Sequence, residues 1–354
     1  MASTKLHGNN FDFLRVAAAV MVLFSHQFAL LALPQPMIFS IRSVGSLGVS
    51  IFFTISGYLV LQSWLRDPHV TRFVLRRFLR IWPGLIVVTC LAALFMGPLV
   101  SNLTYYDYFH SKHTWHFFRT LLLDITYVLP GVFSTNFYPH AVNGSLWTIP
   151  FEIRWYGILV LVGFFKLFNY KWLILAAFCI LIIDQFVKYH AGIPPSYMSE
   201  FGFYFVYGAC LHLFRAVWMR YMRLCLVLAS LLVFASVTAG YPIVALWLAL
   251  PYLIIFVATC STPIVRQFGR FGDLSYGIYI YAFPVQQLVV KLGEGQFSFP
   301  VCLLFSVLGT GLLAFASWHL VEKPALQLKR ILRVPPPNQH KGDSQITEKI
   351  LVSA

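Results

Sequence analysis

Two ionisable side chains, Arg15 and His26, lie inside the first apolar stretch of the chain, residues 11–33. Such a stretch is long enough to cross a bilayer as a helix, which takes about 20 residues. Arg15 and His26 are eleven positions apart. At about 100° per residue this is roughly three turns plus 20°, so a helix carries both on one face, about 16 Å apart along its axis. A titratable group at mid-membrane costs about 2.5–3.5 kcal/mol on insertion scales, so it faces a cavity or a partner and marks a functional path. The plainer alternative is an Arg15 that snorkels to the headgroups and a His26 hydrogen-bonded to a neighbouring helix.

Two other runs supply further candidate groups. The cluster Arg72-Phe-Val-Leu-Arg76-Arg77-Phe-Leu-Arg80-Ile-Trp-Pro83 reads as an amphipathic helix lying on the membrane surface, with Pro83 opening the next span. It either anchors to lipid headgroups or clamps a phosphate in the vestibule that Arg15 faces. The run Asn143-Gly-Ser145-Leu-Trp147-Thr-Ile-Pro150-Phe-Glu152-Ile-Arg154 enters the membrane from the opposite side. Glu152 then lies about 10 Å down, at about 1.5 Å per residue, approaching the depth of His26. Arg154 points elsewhere around the helix and is not an automatic partner for it.

The elements that must position these groups follow from composition. Of 354 residues, 59% are hydrophobic and only 11% charged, with a mean hydropathy of +0.74. No soluble core needs that much apolar surface, so the expected fold class is all-α, a polytopic membrane protein with about ten transmembrane helices. The spans fall near 11–33, 44–65, 81–100, 146–168, 171–188, 200–214, 222–240, 243–260, 274–293 and 299–321.

The net charge of +14 does not indicate nucleic-acid binding, because the basic residues cluster in alternate loops. With the N-terminus inside, nineteen of the 26 Lys and Arg fall in inner loops and ends and five in outer ones, with Arg15 and Arg154 within spans. By the positive-inside rule both termini are expected to be cytoplasmic.

The six cysteines all lie in apolar segments without metal-ligand spacing and read as small core residues. His110, His113 and His116 recur at helical spacing in the outer segment, but no Cys, Asp or Glu accompanies them, so no metal site is assigned. The aromatic residues around them, Tyr105 to Tyr138, suggest a saccharide-stacking surface, and the apolar patch 120–132 a surface or re-entrant helix. After Pro324 the composition turns polar and basic. Residues 9–325 are expected to form one membrane domain and 326–354 a mostly disordered cytoplasmic tail.

Six motifs in register, FDFLR with His26 beyond it, GVSIFFTISGYL, RRFLRIWP, SLWTIPFEIRWYG, SYGIYIYAFPVQQ and WHLVEKP, resemble the acyltransferase-3 family of bacterial integral-membrane O-acyltransferases. The resemblance implies ten helices in the bacterial inner membrane. It also implies transfer of an acyl group, usually acetyl from cytoplasmic acetyl-CoA, to a glycan or related acceptor. The family's functional Arg and His fall on Arg15 and His26, its basic element on Arg77 and Arg80, and its acidic fourth-helix position on Glu152. Many members carry a His where this chain has Ala282, so no catalytic role is assigned there.

The expected mechanism has Arg15, Arg77 and Arg80 receiving the anionic end of acyl-CoA, a donor substrate rather than a tightly bound cofactor. His26 then acts as general base on an acceptor hydroxyl or carries the acyl group, and Glu152 orients the imidazole or the acceptor. The expected partners are acyl-CoA, a glycan or glycolipid acceptor and the lipid bilayer. A transporter or flippase of lipid-linked sugars, without acyl transfer, is the alternative; the absence of visible inverted repeats and the one-sided Arg–His arrangement count against it.

Overall fold

In hydrocarbon a backbone has no water to bond, so each long apolar run satisfies its N–H and C=O groups by coiling into a helix. A computed structural model describes residues 9–328 apart from 195 and 264; the polar tail from 329 onward, like Lys5, lies outside the described residues. Ten long helices are found among them. They are α1 (Phe11–Leu30), α2 (Val44–Arg66), α3 (Val70–Val100), α4 (Gly144–Phe164), α5 (Lys171–His190), α6 (Tyr197–Leu213), α7 (Met222–Thr238), α8 (Pro242–Thr259), α9 (Ser275–Gly293) and α10 (Phe299–Gln327).

By length and hydropathy, seven of these qualify as membrane spans, α1 to α5, α8 and α10, where the sequence counted ten. The other three fall short for different reasons. Helices α6 and α7 have 17 residues each. Helix α9 is long enough at 19 residues, but it interleaves Tyr276, Tyr279, Tyr281, Gln286 and Gln287 with its apolar side chains. A helix wrapped by other helices need not be apolar all round, provided its polar groups are bonded.

Those bonds are present. Gln286 Nε2 donates to the Leu23 carbonyl at 2.9 Å and to Gln27 Oε1 at 3.0 Å, and Ser306 Oγ donates to the same Gln27 oxygen at 3.0 Å. One buried amide thus ties α1, α9 and α10 together. Helix α1 is fixed at its start as well, where Asn10 Nδ2 donates to the Val257 carbonyl at 3.0 Å at the end of α8.

Close backbone approach sets the packing of α2. A Cβ on Gly48 would stand 2.6 Å from the Ala18 carbonyl of α1. On its other side Gly57 lies against the Phe205 carbonyl of α6, and Gly208 of α6 lies against the Thr54 carbonyl of α2. The pair makes a reciprocal contact that any larger residue would pry open.

The basic cluster is not a separate surface helix. It forms the first turns of α3, which runs on through Pro83 without a break. A proline costs a helix one N–H and crowds the preceding turn, yet this stretch is braced on both sides. Asp67 takes Arg72 Nη2 at 2.6 Å and Arg76 Nη1 at 2.5 Å, and Tyr276 OH donates to the Ile81 carbonyl at 2.7 Å.

Between α3 and α4, residues 101–143 fold over the opposite end of the bundle. The expected helix at 120–132 is only a 3-10 turn, Phe117–Leu122, because the chain reverses through positive φ at Leu123 (66°) and Gly131 (70°). The lid is held by Tyr108 OH donating to the Ala93 carbonyl at 2.8 Å. It is also held by Gln287 Nε2, which donates to the carbonyls of Tyr138 and Ala141 at 2.8 and 2.7 Å.

The α2–α6 contact generates a stability prediction. Gly208→Val should lower the thermal midpoint in detergent, with overpacking costing about 1–3 kcal/mol. Gly157→Ala, which meets nothing within 4 Å, should not lower it. Equal midpoints for the two variants would show that the glycine contact does not hold the helices.

Candidate active site

The functional candidates gather around adjoining cavities rather than one. The first, at the arginine-rich end, has a volume of about 130 Å³ and is lined by Arg15 of α1, Ser56 of α2, Arg77 and Arg80 of α3, Glu152 and Tyr156 of α4, and Tyr276 and Tyr279 of α9. Two more lie toward the opposite end, about 240 and 740 Å³, sharing His26, Gln35, Trp147 and Tyr197. Four of the five sequence candidates therefore meet in the first cavity, and His26 lines the others. Val49 and Tyr279 line both the arginine cavity and the 240 Å³ pocket, and so form the wall between them.

The arginines are not bare cations. Arg15 Nη1 lies 2.5 Å and Arg80 Nη2 2.7 Å from the same Asp273 oxygen, and Arg80 Nη1 is 3.9 Å from Glu322 Oε2. Burial alone would raise the Asp273 carboxyl, but the charges of Arg15 and Arg80 outweigh it and hold the group well below the usual carboxylate range, so it stays ionised. Ser275 Oγ donates to its other oxygen at 2.6 Å. Glu322 sits in a π-helical turn of α10, Trp318–Glu322, and accepts from Ser317 Oγ at 2.9 Å. Such turns displace side chains from the regular helical face and recur at functional sites.

Arg77 differs from its neighbours. Among the described residues it is recorded in no ion pair, and its guanidinium stands over the rings of Phe73 and Tyr156 at 5.7 and 5.9 Å. It is half-buried and lines the cavity, where the sequence placed it on an exposed surface. Glu152 accepts hydrogen bonds from Tyr156 OH and from Ser56 Oγ, the latter at 3.1 Å. Glu152 lines the arginine cavity, and among the described residues it makes no hydrogen bond to His26.

His26 lies apart from these charges, in the other cavities. Its ring meets Phe283 edge-on at 5.3 Å between centroids, and its Nδ1 is buried without a hydrogen-bond partner among the described residues. A neutral imidazole keeps one acceptor nitrogen, which here is not taken up by a neighbouring side chain. Tyr279, in the wall, donates its hydroxyl proton to the Ser145 carbonyl at 2.7 Å and receives one from Thr148 Oγ1 at 2.6 Å. Of the outer aromatics singled out in the sequence, Tyr138 lines the larger cavity, joined by Tyr127, Trp147 and Tyr197.

Asp273, Glu322, Ser56, Tyr156 and Tyr279 were not identified as site residues from the sequence, although all but Asp273 lie in its six motifs and Asp273 stands two residues before one of them. A signal was available for the two acids. With only twelve Asp and Glu in the chain, an acid at the basic end of a span is a ready partner for a buried arginine.

A helical membrane protein with paired arginines at one end and an unpartnered histidine in an adjoining cavity has the makings of a membrane acyltransferase. The chain belongs to the acyltransferase-3 family, whose model, described as an acyltransferase domain, matches residues 9–319. It is 32% identical over 329 residues to an O-acetyl transferase of Shigella phage Sf6, covering 90% of this chain and 96% of that one. It is 29% identical to nodulation protein 10 of Rhizobium leguminosarum bv. viciae, covering 92% of this chain and 95% of that one. It is 25% identical to the exopolysaccharide production protein ExoZ of Rhizobium meliloti (strain 1021), covering 82% and 93%. No solved structure matches the chain. Membership of this family decides between the two activities left open by the sequence, in favour of an acyl-transferring enzyme.

The shared carboxylate yields a prediction. Asp273→Asn leaves two guanidiniums facing each other without their anion, and breaking a buried pair costs about 3 kcal/mol or more. Asp67→Asn removes a more exposed carboxylate, whose ion pairs are worth about 0.2–1 kcal/mol each. The side chains are 17% and 28% exposed. Thermal unfolding in detergent should rank Asp273→Asn well below Asp67→Asn; the reverse order would show that Arg15 and Arg80 do not depend on Asp273.

Proposed function

We propose that the protein transfers an acyl group, acetyl in the first instance, from cytoplasmic acyl-CoA to a hydroxyl of a cell-surface or exported glycan. The observation that carries this reading is the pair of adjoining cavities, arginine-lined on one side of the Val49–Tyr279 wall and holding His26 on the other. The names of the O-acetyl transferase and exopolysaccharide relatives support acetyl as the group and a polysaccharide as the acceptor.

In this reading Arg77, which makes no ion pair among the described residues, takes a donor phosphate first, with Arg15 and Arg80 contributing as their contacts to Asp273 loosen. The pantetheine arm runs from there toward the wall, over a distance on the order of the 16 Å Arg15–His26 interval. His26 accepts the proton of the acceptor hydroxyl as that oxygen attacks the thioester carbonyl. The carbon–sulfur bond breaks, and the thiolate leaves and recovers the proton. In the alternative order His26 displaces the thiolate itself and passes the acyl group on. Glu152 holds the Tyr156 hydroxyl on the donor side of the wall. The nineteen-to-five charge asymmetry supports a cytoplasmic arginine end with both termini inside, in the bacterial inner membrane that the family resemblance implies.

With labelled acetyl-CoA and purified enzyme in detergent, His26→Ala should cut transfer by about 100-fold or more while leaving CoA binding unchanged. Arg77→Ala should weaken CoA binding, and added salt should weaken it in the wild type. A fully active His26→Ala enzyme would return His26 to a packing role.

Orientation is testable separately. Single cysteines placed at Thr135 and Asn169 should label oppositely with an impermeant thiol reagent in intact cells, Thr135 from outside. Equal labelling would overturn the topology.

A further inference from the structure

The pocket beside His26 contains an ion pair that the transfer chemistry does not use. Arg42, on the hairpin Met37–Ser43 that joins α1 to α2, donates to Glu200 at the start of α6. Their side chains are 23% and 7% exposed. Both line the 240 Å³ pocket together with His26, Trp147 and Tyr197. Among the described residues these are the only Lys, Arg, Asp or Glu side chains lining either histidine cavity, and each neutralises the other.

We infer that this pocket is the acceptor subsite, and that it takes a neutral pyranose ring rather than a carboxylated one. The inference rests on the acyl-transfer reading above and deepens it. Arg42 keeps N–H donors beyond the one bonded to Glu200, and a carboxylate accepts more than one hydrogen bond. The pair therefore offers a sugar hydroxyl both a donor and an acceptor while presenting no net charge.

Next to it stand Trp147 and Tyr197, their rings 4.5 Å apart between centroids and nearly perpendicular at 67°. Together they present an aromatic face and an edge at the junction of the two cavities. An aromatic face beside a polar pair suits a pyranose, which has C–H groups on its faces and hydroxyls around its rim. His26 lines the same pocket, so a ring seated there brings a hydroxyl to the imidazole. The 740 Å³ cavity beyond has room for the remainder of a glycan, being within the range of about 300–1,000 Å³ typical of ligand sites. A carboxylated sugar is disfavoured because its anion would meet Glu200 while Arg42 is already neutralised.

The test uses two probes that differ at one carbon, methyl α-glucoside and methyl α-glucuronide, with the full chain in detergent. Ligand-observed saturation-transfer NMR reads binding without turnover, and labelled acetyl-CoA reads transfer. Wild-type protein should bind the glucoside in preference by about tenfold or more, the scale of one charge-assisted hydrogen bond. Trp147→Ala should weaken glucoside binding with CoA binding unchanged.

Glu200→Gln keeps the shape and a hydrogen bond to Arg42 but leaves the pocket positive, so it should shift preference toward the glucuronide. That shift is a readout a purely structural pair would not give. Equal or tighter binding of the glucuronide by wild type, no binding of either sugar, or an unshifted preference in Glu200→Gln would each overturn the inference. CoA binding and acetyl-CoA turnover run in parallel separate the two readings. If they persist while sugar binding fails, only the acceptor subsite falls; if they are absent, acyl transfer itself fails.

Discussion

The carboxylate of Asp273 holds together three helices that hydrophobic packing alone would leave free to slide. It lies just before α9 and receives Arg15 from α1 and Arg80 from α3, at 2.5 and 2.7 Å. Apolar helices in lipid gain little from burying one another, since the solvent they leave is as apolar as the partner they meet. Register must come from contacts that tolerate one arrangement only. A carboxylate bridging two guanidiniums is one such contact; the Gln27–Gln286–Ser306 amide cluster deeper in the bundle is another. Both run through α1 and α9, the two helices that contribute the wall tyrosine and the histidine.

These contacts explain why the arginine cavity can be polar without being loose. Three arginines and three acids converge there, with Ser56 and Tyr156 donating to Glu152 and Tyr276 to the Ile81 carbonyl. In a dry setting an unmatched charge is expensive, so a donor site built from cations has to carry its own counter-ions. In the proposed reading, the donor's phosphates compete with Asp273 and Glu322 for Arg15 and Arg80. That competition favours a ligand bearing several negative charges over a simple anion.

Much of the architecture was legible because membrane helices advertise themselves by hydropathy, and the Arg15–His26 spacing gave their shared helix. What the spacing could not give was the wall. The axial distance of about 16 Å between the two residues is long enough for Val49 and Tyr279 to come between them, from α2 and α9, so the pair lines two cavities. Pro83 was misread as a helix start because proline favours first turns; α3 continues through it braced by Asp67 a few residues before its arginines and by Tyr276 from across the fold. Asp273 and Glu322 were visible as acids but not as partners of Arg80, which is 193 residues from Asp273 in sequence. Helix α9 looked like an ordinary span, but its polar residues mark it as the one most enclosed by protein.

In the proposed reading, the wall of Val49 and Tyr279 also bears on how the membrane voltage enters the reaction. In the proposed arrangement the donor side begins with a thioester and ends with a thiol, while the acceptor side begins with an alcohol and ends with an ester. An acyl group goes outward through the wall and the hydroxyl proton, taken by His26, comes back. Moving one elementary charge through 100 mV involves about 2.3 kcal/mol, but this exchange moves none. A proton drawn instead from the cytoplasm would make each turnover export a positive charge against the potential. In that arrangement, a wall with its base on the acceptor side would make the proposed reaction an electroneutral exchange of acyl group for proton.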